Sequence, residues 1–250
     1  MPAPVATVSD RRGLTNTTGV QPVLRTVGAA IRANILPGLL LQGLMAAFLA
    51  AYLTHDGTRR FLATVATAKE ESGLAFAFFS YVIAAAVLPE LLRILLFQSG
   101  RPHRRNAINF LFAAPAWGVM GMIVDLLYRQ QAVWFGDTAT WSSIVPKVLV
   151  DQFLFSPLFA IPVMVAYFAL CAGRFRAAAW QRILRPAFCL EEVVPVIVAG
   201  WMVWIPGVTL VYAMPAALQI PVAVLIECFW VLVFTAVGSR VSPSGRTEPS

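Results

Sequence analysis

The chain has 250 residues, 59% of them hydrophobic and 12% charged, with a formal net charge of +7. Soluble domains carry about 25% charged residues, so this composition, with a mean hydropathy of +0.74, points away from them and toward a membrane protein. The positive charge does not describe a nucleic-acid binder either, because the basic residues sit in the gaps between apolar stretches rather than on one polar face.

In chain order, residues 1–33 read as a polar, basic N-terminal tail, with Arg11, Arg12, Arg25 and Arg32 against Asp10. No apolar core begins early enough for a secretory signal peptide. The Arg-rich, acid-poor composition suits an organelle transit peptide and a cytoplasmic tail equally. Six apolar segments follow within residues 34–238, approximately Leu36–Leu53, Leu74–Gln98, Asn109–Tyr128, Val148–Ala172, Val193–Ala213 and Ala217–Val237. Each is near or above the roughly 17 to 25 residues a helix needs to cross the hydrocarbon core. Only Met214, Pro215 and Ala216 separate the last two, and one long bent helix is the alternative there. Residues 239–250 read as a disordered C-terminal tail. The expected fold is all-α, a polytopic transmembrane helical bundle of about six spans with kinked helices.

Counting Lys and Arg on alternate sides of six spans gives 13 against 5, which places both termini on the cytoplasmic side or its equivalent. The sequence does not choose between a bacterial inner membrane and an organelle membrane. The expected partners are the lipid bilayer and small solutes, with no nucleic acid, and assembly as a homo-oligomer is left open. No nucleotide loop, HExxH or GxSxG motif appears. His55 and His103 fall in loops without catalytic partners. Cys171, Cys189 and Cys228 lack CxxC spacing, and Cys171 and Cys228 read as buried free thiols. No catalytic residue, metal site, cofactor or enzymatic activity is expected.

Five ionisable residues fall inside the apolar segments: Glu90, Arg93, Asp125, Asp151 and Glu227. Such groups are costly in lipid, and their position decides what they mean. Glu90 and Arg93, three apart and following Pro89, share a helix face and read as an intramembrane charge pair. Glu227, ten residues into the sixth segment, falls near the midplane. Asp125 and Asp151 fall near one non-cytoplasmic boundary, and Lys147, four residues before Asp151, is expected to pair with it. Asp151, Gln152, Glu227, Asp125 and Lys147 are therefore the candidates for a polar interior, where acidic rings favour cations. Pro89, Pro115, Pro157, Pro162, Pro195 and Pro206 fall within spans, which requires neighbours or water to satisfy the freed carbonyls. Gly118, Gly121 and the Ala84-Ala85-Ala86 run allow close helix approach.

The stretch "KVLVDQFLFSPLF", residues 147–159, carries Lys147, the Asp151-Gln152 pair four residues on, and Pro157 six beyond the acid. Trp204, Pro206, Pro215 and Trp230 form a second pattern, and Pro115 followed ten residues later by Asp125 a third. In these residues the chain resembles the peroxisomal membrane protein and mitochondrial inner-membrane family whose best-known member is called Mpv-seventeen. The resemblance covers about residues 105–239. It departs where Ile205 separates Trp204 from Pro206 and where Gln219 stands at a position the family fills with a basic residue. The segment Leu36–Leu53 is additional to the family's usual four-span description. The resemblance implies a small integral membrane protein, several relatives of which are described as channels of low selectivity. Three functions stay open: a low-selectivity channel or pore for small solutes, a proton-coupled transporter titrating Glu227, and a membrane scaffold or assembly factor without transport.

Overall fold

The computed structural model describes the backbone of residues 20–241, with side chains for Arg32, Ile35, Leu36 and residues 38–230. Its helices are α1 (Val20–Thr54), α2 (Asp56–Ser72), α3 (Leu74–Phe97), α4 (Arg104–Phe135), α5 (Trp141–Ala172), the short α6 (Ala177–Ile183), α7 (Pro186–Ala213) and α8 (Ala216–Val241). No strand occurs among the described residues. Helix α1 begins inside the segment expected to be a tail, because Val20–Arg32 already takes helical form, and α8 extends to Val241. Residues 1–19 and 242–250, the rest of the two expected tails, lie outside the described residues.

By length and composition α3, α4, α5 and α7 can each cross a membrane. Gly38–Thr54 of α1 and the whole of α2 count together as a fifth candidate, but they meet at a bend of 98°. The described apolar part of α8, Ala216–Trp230, is shorter than a span. Four or five candidate spans thus stand where about six were expected.

The difference lies in the last expected segment, of which the described part is too short, whereas α2 is a helix where a loop was expected. Its residues Arg59, Arg60 and Lys69 were expected in a loop, yet local chemistry favours a helix. The Nδ1 atom of His55 accepts a hydrogen bond from the Thr58 N–H at 3.3 Å, capping the start. Asp56 in the first turn and Lys69 in the last complement the helix dipole. Gly73, at φ +57, takes the left-handed conformation that lets α3 follow at once. At the start of α4 the N-cap is His103, whose backbone N–H donates to Asn106 Oδ1 at 2.8 Å. Both histidines stand at helix starts.

Wide π turns occur within α3 (Ile83–Val87), α5 (Asp151–Ala160) and α7 (Cys189–Val193). Each accompanies proline. The residues four before Pro89, Pro157, Pro162 and Pro195 are Ala85, Phe153, Leu158 and Glu191, and all lie inside these turns. A proline ring collides with the carbonyl four residues back, and the extra residue in a π turn moves that carbonyl aside. Pro115 and Pro206 instead sit within regular α-helix.

Helix α8 is the hub, packed against α1, α2, α3, α4 and α7, with Ile220, Val222, Ala223 and Ile226 buried. Along the α3–α4 seam a Cβ on Gly121 would stand 2.6 Å from the Ala77 carbonyl oxygen and from the Tyr81 ring, so only glycine permits this approach. Helix α5 is peripheral, with 6% of its apolar window buried. Leu154, Leu158 and Phe159 face outward, whereas Ser143, Lys147, Asp151 and Gln152 are turned inward. An apolar exterior over a polar interior is the arrangement lipid demands.

A candidate functional site of buried polar residues

The polar face of α5 forms a closed hydrogen-bond network with α4 and α7. Asp151 is 5% exposed. The Tyr212 hydroxyl donates to its Oδ2 at 2.7 Å, Gln152 Nε2 donates to Oδ1 at 2.9 Å, and Ser156 Oγ donates to Oδ1 at 3.3 Å. Gln131 Nε2 donates in turn to the Tyr212 oxygen at 2.8 Å. The Tyr128 ring meets the Tyr212 ring edge-on, with centroids 5.1 Å apart. Trp201 Nε1 donates to the Gln152 carbonyl at 2.8 Å. In π geometry that carbonyl looks for the N–H five residues on, which is Pro157 and has none. The indole of Trp201 fills the gap.

Lys147 does not pair with Asp151. It is 1% exposed, and its Nζ lies over the Tyr212 ring, 5.6 Å from the centroid. Among the described residues no carboxylate lies within ion-pair distance of it. The reason is competition: the Asp151 oxygens already accept from Tyr212, Gln152 and Ser156. Gln131 Oε1, also buried, has no hydrogen-bond partner.

Asp125 belongs to a second cluster and not to an acidic rim. At 1% exposure it is ion-paired with Lys69 Nζ at 3.2 Å and, through its other oxygen, with Arg129 Nη2 at 2.6 Å, and it accepts a hydrogen bond from Arg129 Nε at 2.9 Å. Beside this triad is a small pocket of about 40 Å³, which Tyr128, Ala216 and Gln219 also line. A third cluster lies toward the other ends of α3 and α4. Glu90 is ion-paired with Arg93, and Asn106 Nδ2 donates to its Oε2 at 2.8 Å.

Glu227 stands apart. It is buried on α8, and among the described residues no cation pairs with it and no hydrogen bond reaches it. Tyr81 of α3 is buried as well, its ring against the position of Gly121.

The remaining sequence-selected residues are structural. Pro115 lies in α4, and Trp204 and Trp230 pack against the main core. Pro206 lines an outer apolar groove, and Pro215 lies in the link between α7 and α8. Cys171 and Cys228 are half-buried rather than buried, and Cys189 is exposed. No group of three or more His, Cys, Asp or Glu able to hold a metal ion occurs among the described residues. Sequence reasoning missed Tyr212, Gln131, Trp201, Lys69, Arg129 and Asn106. The Asp125–Arg129 spacing of four was a readable signal. Tyr212 and Trp201 were hidden because they count as apolar. No family model, curated protein or solved structure matches the chain.

Proposed function

We propose that this integral membrane protein passes small solutes through its interior, along a path on which Asp151 and Glu227 lie. The observation that carries the reading is Glu227. A buried carboxylate with no described partner is expensive to keep for stability alone, whereas a residue meeting a passing solute must stay unspent. The residue spacing shared with the Mpv-seventeen family around Lys147, Asp151, Gln152 and Pro157 favours the same function, a channel of low selectivity. In this reading α8 is the sixth span and both termini face the cytoplasm or its equivalent, in keeping with the 13-to-5 bias in Lys and Arg. The dense packing around α8 corresponds to a closed state.

A scaffold without transport is the second reading, and the hydrogen-bonded and ion-paired clusters around Asp151, Asp125 and Glu90 favour it, because polar groups paired between helices fix their register. Solute-induced swelling of proteoliposomes separates the two. A channel shows swelling that changes in the Asp151→Asn protein. A scaffold leaves the vesicles as tight as protein-free ones.

A further inference from the structure

The pocket at the Lys69–Asp125–Arg129 triad holds an imbalance of charge. Two cations share one carboxylate, which leaves one positive charge over. Lys69 is only 8% exposed, and Asp125 1%. Asp125 compensates the buried Lys69, so the surplus charge lies on the half-exposed Arg129, which lines the same pocket and can take a counter-ion there. Donors are also left over. Of the three N–H groups of the Lys69 ammonium, one is directed to Asp125 Oδ1, and Arg129 commits Nε and Nη2 of its fork while its side chain stays half-exposed. Gln219, 2% exposed, lines the same space, and its amide makes only a long 3.4 Å contact to the Met214 carbonyl. The first turn of α8 borders the pocket through Ala216 and contains no acid to offset the positive end of that helix.

The pocket volume of about 40 Å³ compares with the roughly 10 to 15 Å³ that one water molecule needs on the same footing. That is room for a halide or for the carboxylate of a small solute, and too little for a bulky polyanion. We infer that this pocket is a binding site for a small monovalent anion, held by Lys69, Arg129 and Gln219. Ends of helices fix its place in the molecule. Lys69 closes α2, Arg129 is near the end of α4, and Gln219 is near the start of α8, so the site shares an end of the bundle with the Asp151 network. The inference goes beyond the solute-pathway reading, because the carboxylates of Asp151 and Glu227 on that path would not favour an anion. The binding itself stands without that reading.

Chloride is the probe, and the observable is NMR line broadening of the chloride nucleus by the full chain in detergent micelles. The wild-type protein is expected to broaden the line beyond a micelle blank, and acetate is expected to narrow it again by displacement. Arg129→Gln, at a half-exposed position that tolerates change, and Gln219→Leu are expected to weaken binding roughly tenfold each, the effect of losing one partner of a charged hydrogen bond. Asp125→Asn is expected to strengthen it, because the competing carboxylate is gone, and a merely structural role for Asp125 predicts the opposite sign. Equal broadening by all variants would assign the effect to surface arginines and overturn the site, as would no broadening by the wild type. Failure of acetate to displace chloride would overturn the carboxylate assignment. Chloride binding in a protein that leaves vesicles tight sinks the pathway and keeps the site, whereas flux without broadening does the reverse.

Discussion

Asp151 and Glu227 are both carboxylates buried in an apolar bundle, at 5% and 7% exposure, and they are held in opposite ways. Asp151 accepts from Tyr212, Gln152 and Ser156, and Gln131 supports the tyrosine behind them. Glu227 has no such partner among the described residues. Burial alone does not distinguish them, but satisfaction of their lone pairs does. A saturated acid ties helices together, and an unsaturated one has capacity left for something that comes and goes. On the proposed reading, the difference makes Glu227, more than Asp151, the residue that would meet a solute.

Four substitutions test that contrast. The largest loss is expected from Tyr212→Phe, which strands Asp151 Oδ2 and Gln131 Nε2 together, at about 3 kcal/mol of stability for two buried groups left unsatisfied. Denaturant unfolding in micelles measures it. Gly121→Ala comes next, at about 2 kcal/mol by overpacking, because the added methyl meets the Ala77 carbonyl and the Tyr81 ring at 2.6 Å. A cost below that would show the α3–α4 seam to be less rigid than its geometry implies. Trp201→Phe removes the donor to the Gln152 carbonyl, and unfolding should register about 1 kcal/mol. Glu227→Gln is expected to change stability least, by less than about 1 kcal/mol or in the favourable direction, because no partner is stranded when the charge goes. A large loss there would mean that Glu227 is as much a structural residue as Asp151, and the comparison would break.

The long apolar helices were legible because lipid imposes one rule, a run of apolar residues long enough to cross, and α3, α4, α5 and α7 obey it. Helix α2 was not, since its pattern is polar and its start depends on a histidine cap rather than on the usual Ser, Thr, Asp or Asn. The acids were legible as exceptions to an apolar background, but their partners were not. Lys147 and Asp151 have the spacing of a helical ion pair, yet that rule describes neighbours on a water-exposed helix. In the interior Asp151 takes its donors from α7 and from its own π turn, and sequence spacing does not reveal which side chains from distant segments arrive there. Lys69 meets Asp125 across 56 residues of chain for the same reason. Tyr212 was counted as hydrophobic, although it carries a polar tip into the buried site.

The most direct test of the central claim is current through planar bilayers containing the purified protein, recorded in parallel for wild type and Glu227→Gln. The account predicts discrete openings in the wild type and an altered conductance or ion preference in a variant that is equally stable. Silence from both folded, inserted proteins, or currents that Glu227→Gln leaves untouched, would contradict it.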